Sequence, residues 1–247
     1  LLQIAHVSAQ SKNITLLDNW QDTSLMSNSS QVRYSGLWTF SKGNDEYAVI
    51  GTTEGAAFLQ LMENNELLFI DSIEGNYASS QAITREYKRY QNYIYAIGDE
   101  GDASLQIIDI SYLPDSVTLA NEVQDERVGK AHTIHIDSVN ALLYLCSVTP
   151  IVNGQALGLV PLRVFSLDNP LEPVLLWEGF EDLAEVHDME LRDQIAILNC
   201  GFDGIRVYDF STPAAPIYLS NLEFYQNQGY NHQGSLSPDM STYVFAD

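Results

Sequence analysis

Three histidines stand at corresponding places in a repeated sequence: His132 in Ala131-His132-Thr133, His187 in Val186-His187-Asp188 and His232 in Asn231-His232-Gln233. One unit earlier the same place is held by Arg85-Glu86. Carboxylates accompany them, with Glu54, Asp99, Glu100, Asp102 and Asp203 falling between the second and third apolar runs of their units. Imidazole beside carboxylate is a donor set for a divalent transition metal such as Zn, Cu, Fe or Ni. His132, His187 and His232, with Asp188, Gln233, Arg85 and Glu86 as neighbours, are therefore the candidate metal or small-ligand residues. The same side chains also suit the capping of loop backbone groups, or acid–base chemistry. Asp99, Glu100 and Asp102 surround Gly101 with hard oxygen donors, a candidate calcium loop outside the EF-hand pattern, or else a solvated acidic loop. His135, three residues after His132, falls on the other side of a period-two strand and reads as a packing residue. A glycine-rich phosphate loop, a G-x-S-x-G elbow and an H-E-x-x-H helix are absent from the sequence.

The elements that must position these residues come from an internal repeat. Runs of one grammar recur at Ala57–Leu61, Leu105–Ile110, Leu162–Leu167 and Ile205–Phe210, with starts separated by roughly 43 to 57 residues. Each is followed by a second type of run: Leu67–Gly75, Val117–Asp125, Val174–Asp182 and Ile217–Tyr225. Each is preceded by a Tyr-, Ile- and Val-rich run, at Tyr47–Thr52, Tyr93–Gly98, Ala141–Val148 and Ile195–Cys200, with Thr242–Asp247 as a fifth. β-Branched and aromatic residues in short runs bounded by Gly, Asn and Asp predict strands, and no window carries a helical apolar stripe. Four strands repeated about every 50 residues bury both faces only against neighbouring copies, which predicts an all-β propeller of four-stranded antiparallel blades. Its units span about 34–75, 85–125, 131–182, 186–225 and 231–247, within one domain over 11–247. Residues 14–22 are expected to form an outer closing strand. Further polypeptide is expected to complete a larger ring, because the last unit shows no third strand. Thr149–Pro161 reads as the longest loop between second and third strands, on the rim of the histidines. Trp20 and Trp177 read as blade-edge packing.

The LQIIDIS run from Leu105 and the IRVYDFS run from Ile205 resemble the LVIVD-type propeller repeat. The stretches AHTIHID from Ala131, EVHDMEL from Glu185 and YNHQGSLSPD from Tyr230 resemble the choice-of-anchor B family of exported bacterial proteins, over about residues 13–247. The resemblance implies an extracytoplasmic propeller, often held at the surface by a variable C-terminal anchor, with no established chemistry. The chain departs from the pattern at Tyr34-Ser35-Gly36-Leu37-Trp38, where an Asn-Asp pair is expected, so the resemblance carries no functional polar group over to the first unit.

Composition agrees with a packed domain: 247 residues, 45% hydrophobic, with a mean hydropathy of -0.10. Eleven basic against 33 acidic residues give a net charge of -22, which repels phosphate backbones and excludes nucleic acid as a default partner. No apolar stretch is long enough for a transmembrane segment. Residues 1–10, with Val7-Ser8-Ala9, read as the tail of a signal peptide or as an edge strand, and His6 within them takes no role. Cys146 and Cys200 are too few for a disulfide scaffold and read as buried thiols. The expectation is an exported or cell-surface propeller acting as a non-catalytic binding module for a protein, small molecule or glycan. The alternative is a metal-dependent enzyme with its His/carboxylate site at the channel mouth.

Overall fold

Period-two apolar runs divided by turn residues give strands, and the computed structural model describes residues 14–180 and 182–247 as strands and turns, with no helix among them. The first blade is the meander β1 (Tyr34–Lys42), β2 (Asp45–Thr52), β3 (Gly55–Leu61) and β4 (Leu67–Glu74). The second is β5 (Arg85–Tyr90), β6 (Tyr93–Gly98), β7 (Leu105–Asp109) and β8 (Thr118–Val123). In the third, the main strands are β10 (Thr133–Asp137), β11 (Leu142–Val152), β13 (Val160–Ser166) and β14 (Val174–Gly179). Two short strands, β9 (Gly129–Lys130) and β12 (Gln155–Ala156), pair with the far end of β11. The fourth is β15 (Asp188–Arg192), β16 (Ile195–Asn199), β17 (Ile205–Asp209) and β18 (Ile217–Leu222), and a fifth unit pairs β19 (Gln233–Leu236) with β20 (Tyr243–Ala246). All pairings are antiparallel. The chain is an all-β propeller of four-stranded blades.

The inner strands β1, β5, β10, β15 and β19 lie side by side in that order, so the blades fan around one axis. Alternation along a strand then feeds two cores at once. On β11, Leu143 and Leu145 pack with Tyr95, Leu105 and Ile107 of the second blade, while Leu142, Tyr144 and Cys146 pack with Met189, Leu198 and Phe210 of the fourth. A third cluster joins Phe40, Tyr47, Val49 and Phe58 of the first blade to Tyr87, Ile94 and Ile108 of the second. Cutting a fully buried Phe58 or Phe165 to Ala costs about 3–5 kcal/mol. The repeat extends to irregularities as well: the fourth strand of each of the first four blades carries one extra residue at its matching place, Ile70, Ala120, Leu176 and Leu219, opposite Phe58/Leu59, Ile107/Ile108, Val164/Phe165 and Val207/Tyr208 of the third strands. The bulge adds local twist between third and fourth strands.

Two expectations change. Residues 14–22 form no strand; the Asp18 carboxylate accepts the Leu67 N–H at 2.7 Å and Trp20 lies parallel to Phe69, so the segment leans on the first blade through side chains and not through a ladder. The loop expected at Thr149–Pro161 is in large part a hairpin. Thr149–Val152 extends β11, and Asn153 and Gly154, both at positive φ (51° and 73°), turn the chain into β12. Asn-Gly favours that turn because both of its central residues need left-handed backbone. The signal-tail reading of residues 1–10 lies outside the described residues. Among the described residues no helix is long and apolar enough to cross a membrane.

Candidate functional site

His132, His187 and His232 each sit one residue before an inner strand, β10, β15 and β19 respectively. Because those strands are neighbours around the axis, the three rings meet: His132 and His187 have centroids 4.2 Å apart, and so do His187 and His232. The rings are held from different directions. His132 Nδ1 lies 2.8 Å from Asp99 Oδ2, in the loop between β6 and β7, and this hydrogen bond holds the His132 pKa above the ordinary imidazole value. His187 is buried, and its Nδ1 lies 2.8 Å from the His232 carbonyl oxygen. A carbonyl only accepts, so Nδ1 carries the proton and Nε2 keeps its lone pair in neutral His187. Burial, and then the adjacent His132 and His232, push the His187 pKa down. Neighbouring imidazoles thus have their protonation pulled apart by their surroundings.

The row continues outward into aromatic rings. Tyr230 stands edge-on to His187 at 5.3 Å, and Phe202, 76% exposed, stands edge-on to Tyr230 at 5.1 Å. The Tyr230 hydroxyl donates to Glu185 Oε1 at 2.5 Å, and burial raises its pKa. Gly201 makes this contact feasible: at φ 57° it has a left-handed backbone, and a Cβ there would come within 2.6 Å of Glu185 Oε1 and 2.8 Å of Tyr230. Glu185 and Tyr230 each lie two residues before a rim histidine, a spacing that puts them on the same side of an extended chain. That spacing was the available signal for them.

Other candidates go elsewhere. Arg85 is only 7% exposed and is a clamp between blades, with Nε donating to the Thr52 carbonyl at 2.8 Å and Nη2 to the Tyr77 carbonyl at 2.6 Å. Glu86 is half-buried on β5, where its carboxylate accepts the Ile134 N–H at 3.1 Å; its partial burial raises its pKa. His135 does not merely pack: its Nε2 lies 2.8 Å from Asp188 Oδ1 across adjacent inner strands. Burial alone would raise the Asp188 carboxyl, but the His135 hydrogen bond and charge outweigh it and hold the pKa low. Gln233 opens β19 opposite Ala246 and is exposed. Cys146 and Cys200 are free and buried, and burial pushes the Cys200 thiol up to about 12, so neither is a ready nucleophile.

The two metal readings find no donor set in this geometry. Among the described residues no group of three or more His, Cys, Asp or Glu side chains is placed to hold an ion. At the rim, Asp99 and the His232 carbonyl engage only Nδ1 of His132 and His187, which orients the rings; what the rim lacks is a third donor converging on the Nε2 atoms. In the acidic loop the oxygens diverge: Asp99 turns to His132, while Glu100 takes the Thr84 hydroxyl at 2.5 Å and the Ile83 and Thr84 amides at 3.3 Å. At Asp102 it is the backbone carbonyl that is engaged, by Gln124. These acids tie loops together, which is why they do not converge on a cation.

No family model and no curated protein matches the chain. Several solved structures do. The periplasmic gluconolactonase PpgL of Pseudomonas aeruginosa aligns with a TM-score of 0.63 at 11% identity, over 85% of this chain and 64% of that one. The likeness is one of fold. A functionally unknown protein from Desulfotomaculum acetoxidans aligns at 0.59 and 11% identity, over 86% and 62%, and the computationally designed protein Ika8 at 0.53 and 14%, over 84% and 54%. The chain spans less than two thirds of the length of each of these structures.

Proposed function

We propose that this chain is part of an exported propeller and serves as a non-catalytic binding module, with its recognition surface on the rim of His132, His187, His232, Tyr230 and Phe202. The observation that carries this reading is the continuous row of rings, fixed from behind by Asp99, the His232 carbonyl and Glu185 and open to solvent at Phe202 and His232. A rigid aromatic surface loses little entropy on binding, and a few polar groups at its edge give direction. Among the described residues no hydroxyl or thiol hydrogen-bonds to an imidazole nitrogen, so the rim offers no activated nucleophile of the Ser–His or Cys–His kind. Export is supported by the family resemblance in the repeat openings and by the acidic composition. The periplasmic setting named for the P. aeruginosa lactonase is in keeping with it. The ligand class is a glycan, a small molecule or an extended protein segment.

The test is a panel of oligosaccharides and peptides, followed by histidine-selective NMR and by mass spectrometry of the recovered ligand. A ligand that shifts the His187 and His232 signals and returns unaltered supports the reading. Chemical conversion of the ligand, or binding that leaves the histidine signals in place, overturns it.

A further inference from the structure

A second concavity opens on the first blade, and its lining includes none of the rim histidines. Its volume is about 500 Å3, inside the roughly 300–1,000 Å3 range of ligand pockets. Its wall is a pair of aromatic rings, Trp20 from the N-terminal segment and Phe69 from β4, parallel within 6° and 6.0 Å apart. Phe69 is left 45% exposed, although it stands beside an apolar partner. Gly55, Ala56 and Ala57 of β3 also line the cavity, and their small side chains keep it open. Three carboxylates, Asp22, Glu54 and Glu74, also belong to the lining.

The charge of the occupant follows from how these acids are used. Glu54 accepts the Met26 N–H through Oε1, and Asp22 accepts the Ser24 amide and hydroxyl through Oδ1; the corresponding second oxygens carry no hydrogen bond among the described residues. The Ser24 hydrogen bonds hold Asp22 below the usual carboxylate range, which keeps it ionised. Among the described residues no ion pair reaches any of the three acids. The guanidiniums that touch lining residues are spent on carbonyls, Arg33 on Leu25 and Arg85 on Thr52. A neutral apolar guest would leave this negative charge uncompensated beside the rings, whereas a cation is attracted both by the carboxylates and by the negative face of an indole.

We propose that the Trp20/Phe69 cavity binds an organic cation, a quaternary ammonium or guanidinium head group on a small apolar body. Trp20 and Phe69 contact its apolar and cationic surface, and Asp22, Glu54 and Glu74 supply the counter-charge. The test titrates the full chain with choline, and with its uncharged isostere 3,3-dimethylbutan-1-ol, by calorimetry and tryptophan fluorescence at low salt. Choline is expected to bind saturably, the isostere at least about tenfold more weakly, and added salt to weaken only choline. Glu54→Gln, which keeps the acceptor for Met26, is expected to weaken choline several-fold, as is Trp20→Leu, while His232→Ala leaves it unchanged. Equal binding of choline and its isostere, or no saturable choline binding, overturns the proposal. Since that comparison uses the parent chain, it decides the matter even if Trp20→Leu fails to fold.

Discussion

At the scale of single residues, the rim imidazoles differ because their partners differ. Asp99 raises the pKa of His132, so His132 adds stability while protonated, in full below the ordinary imidazole range; that contribution is lost as pH rises through its folded value. His187 has the opposite sign. Its pKa is depressed, so the unfolded chain takes up the proton first, and stability falls as pH drops through the ordinary imidazole range. Histidine NMR titration should therefore find His132 titrating at higher pH than His187, with Asp99→Asn moving His132 downward. The reverse order would remove the assigned hydrogen-bond partners. Arg85 gives a test of a different kind. Truncation in Arg85→Met strands the Thr52 and Tyr77 carbonyls without their charged donor, and should cost about 1.5–3 kcal/mol in urea unfolding. A loss under half a kcal/mol would contradict a clamp role.

At the scale of elements, neighbouring inner strands must approach closely. Gly36 on β1 faces β5 so tightly that a Cβ would lie 2.1 Å from the Arg85 carbonyl oxygen. Gly36→Ala should push the first two blades apart and destabilise by about 1–3 kcal/mol, read as a lower urea midpoint; an unchanged midpoint would mean that the strands have room to spare. The repeat made much of this layer legible, because strands one to four announce themselves by alternation and turns. The hairpin at Asn153-Gly154 carried its own signal in that dipeptide, yet apolar Ile151, Val152 and Leu157 look alike in a loop and in a strand extension. Residues 14–22 misled for a related reason: ITLLDNWQD has a strand's composition, but composition does not say whether a ladder partner is free, and the segment is anchored by Asp18 and Trp20 instead. Repeat equivalence singled out His132, His187 and His232 for one place on the rim. It did not reveal that Arg85 turns inward to bind carbonyls, or that His135 reaches Asp188, because both are contacts between blades and depend on fan geometry that no single unit encodes.

At the scale of the whole molecule, three consecutive units contribute one ring each to a shared surface, and among the described residues no three His, Cys, Asp or Glu side chains converge to hold an ion. Prolonged dialysis against EDTA should accordingly leave the melting temperature and the far-ultraviolet spectrum unchanged; a fall of several degrees, reversed by one added cation, would restore a structural ion. The propeller brings His132, His187 and His232 into one coupled row. The most direct measurement is the titration midpoint of His187 in the parent chain and in His232→Ala. The substitution keeps the backbone carbonyl that binds His187 Nδ1 and removes only the neighbouring imidazole, one of the charges that hold the His187 pKa down. The His187 midpoint should rise in His232→Ala; an unmoved or lowered midpoint would mean that the two imidazoles are not coupled.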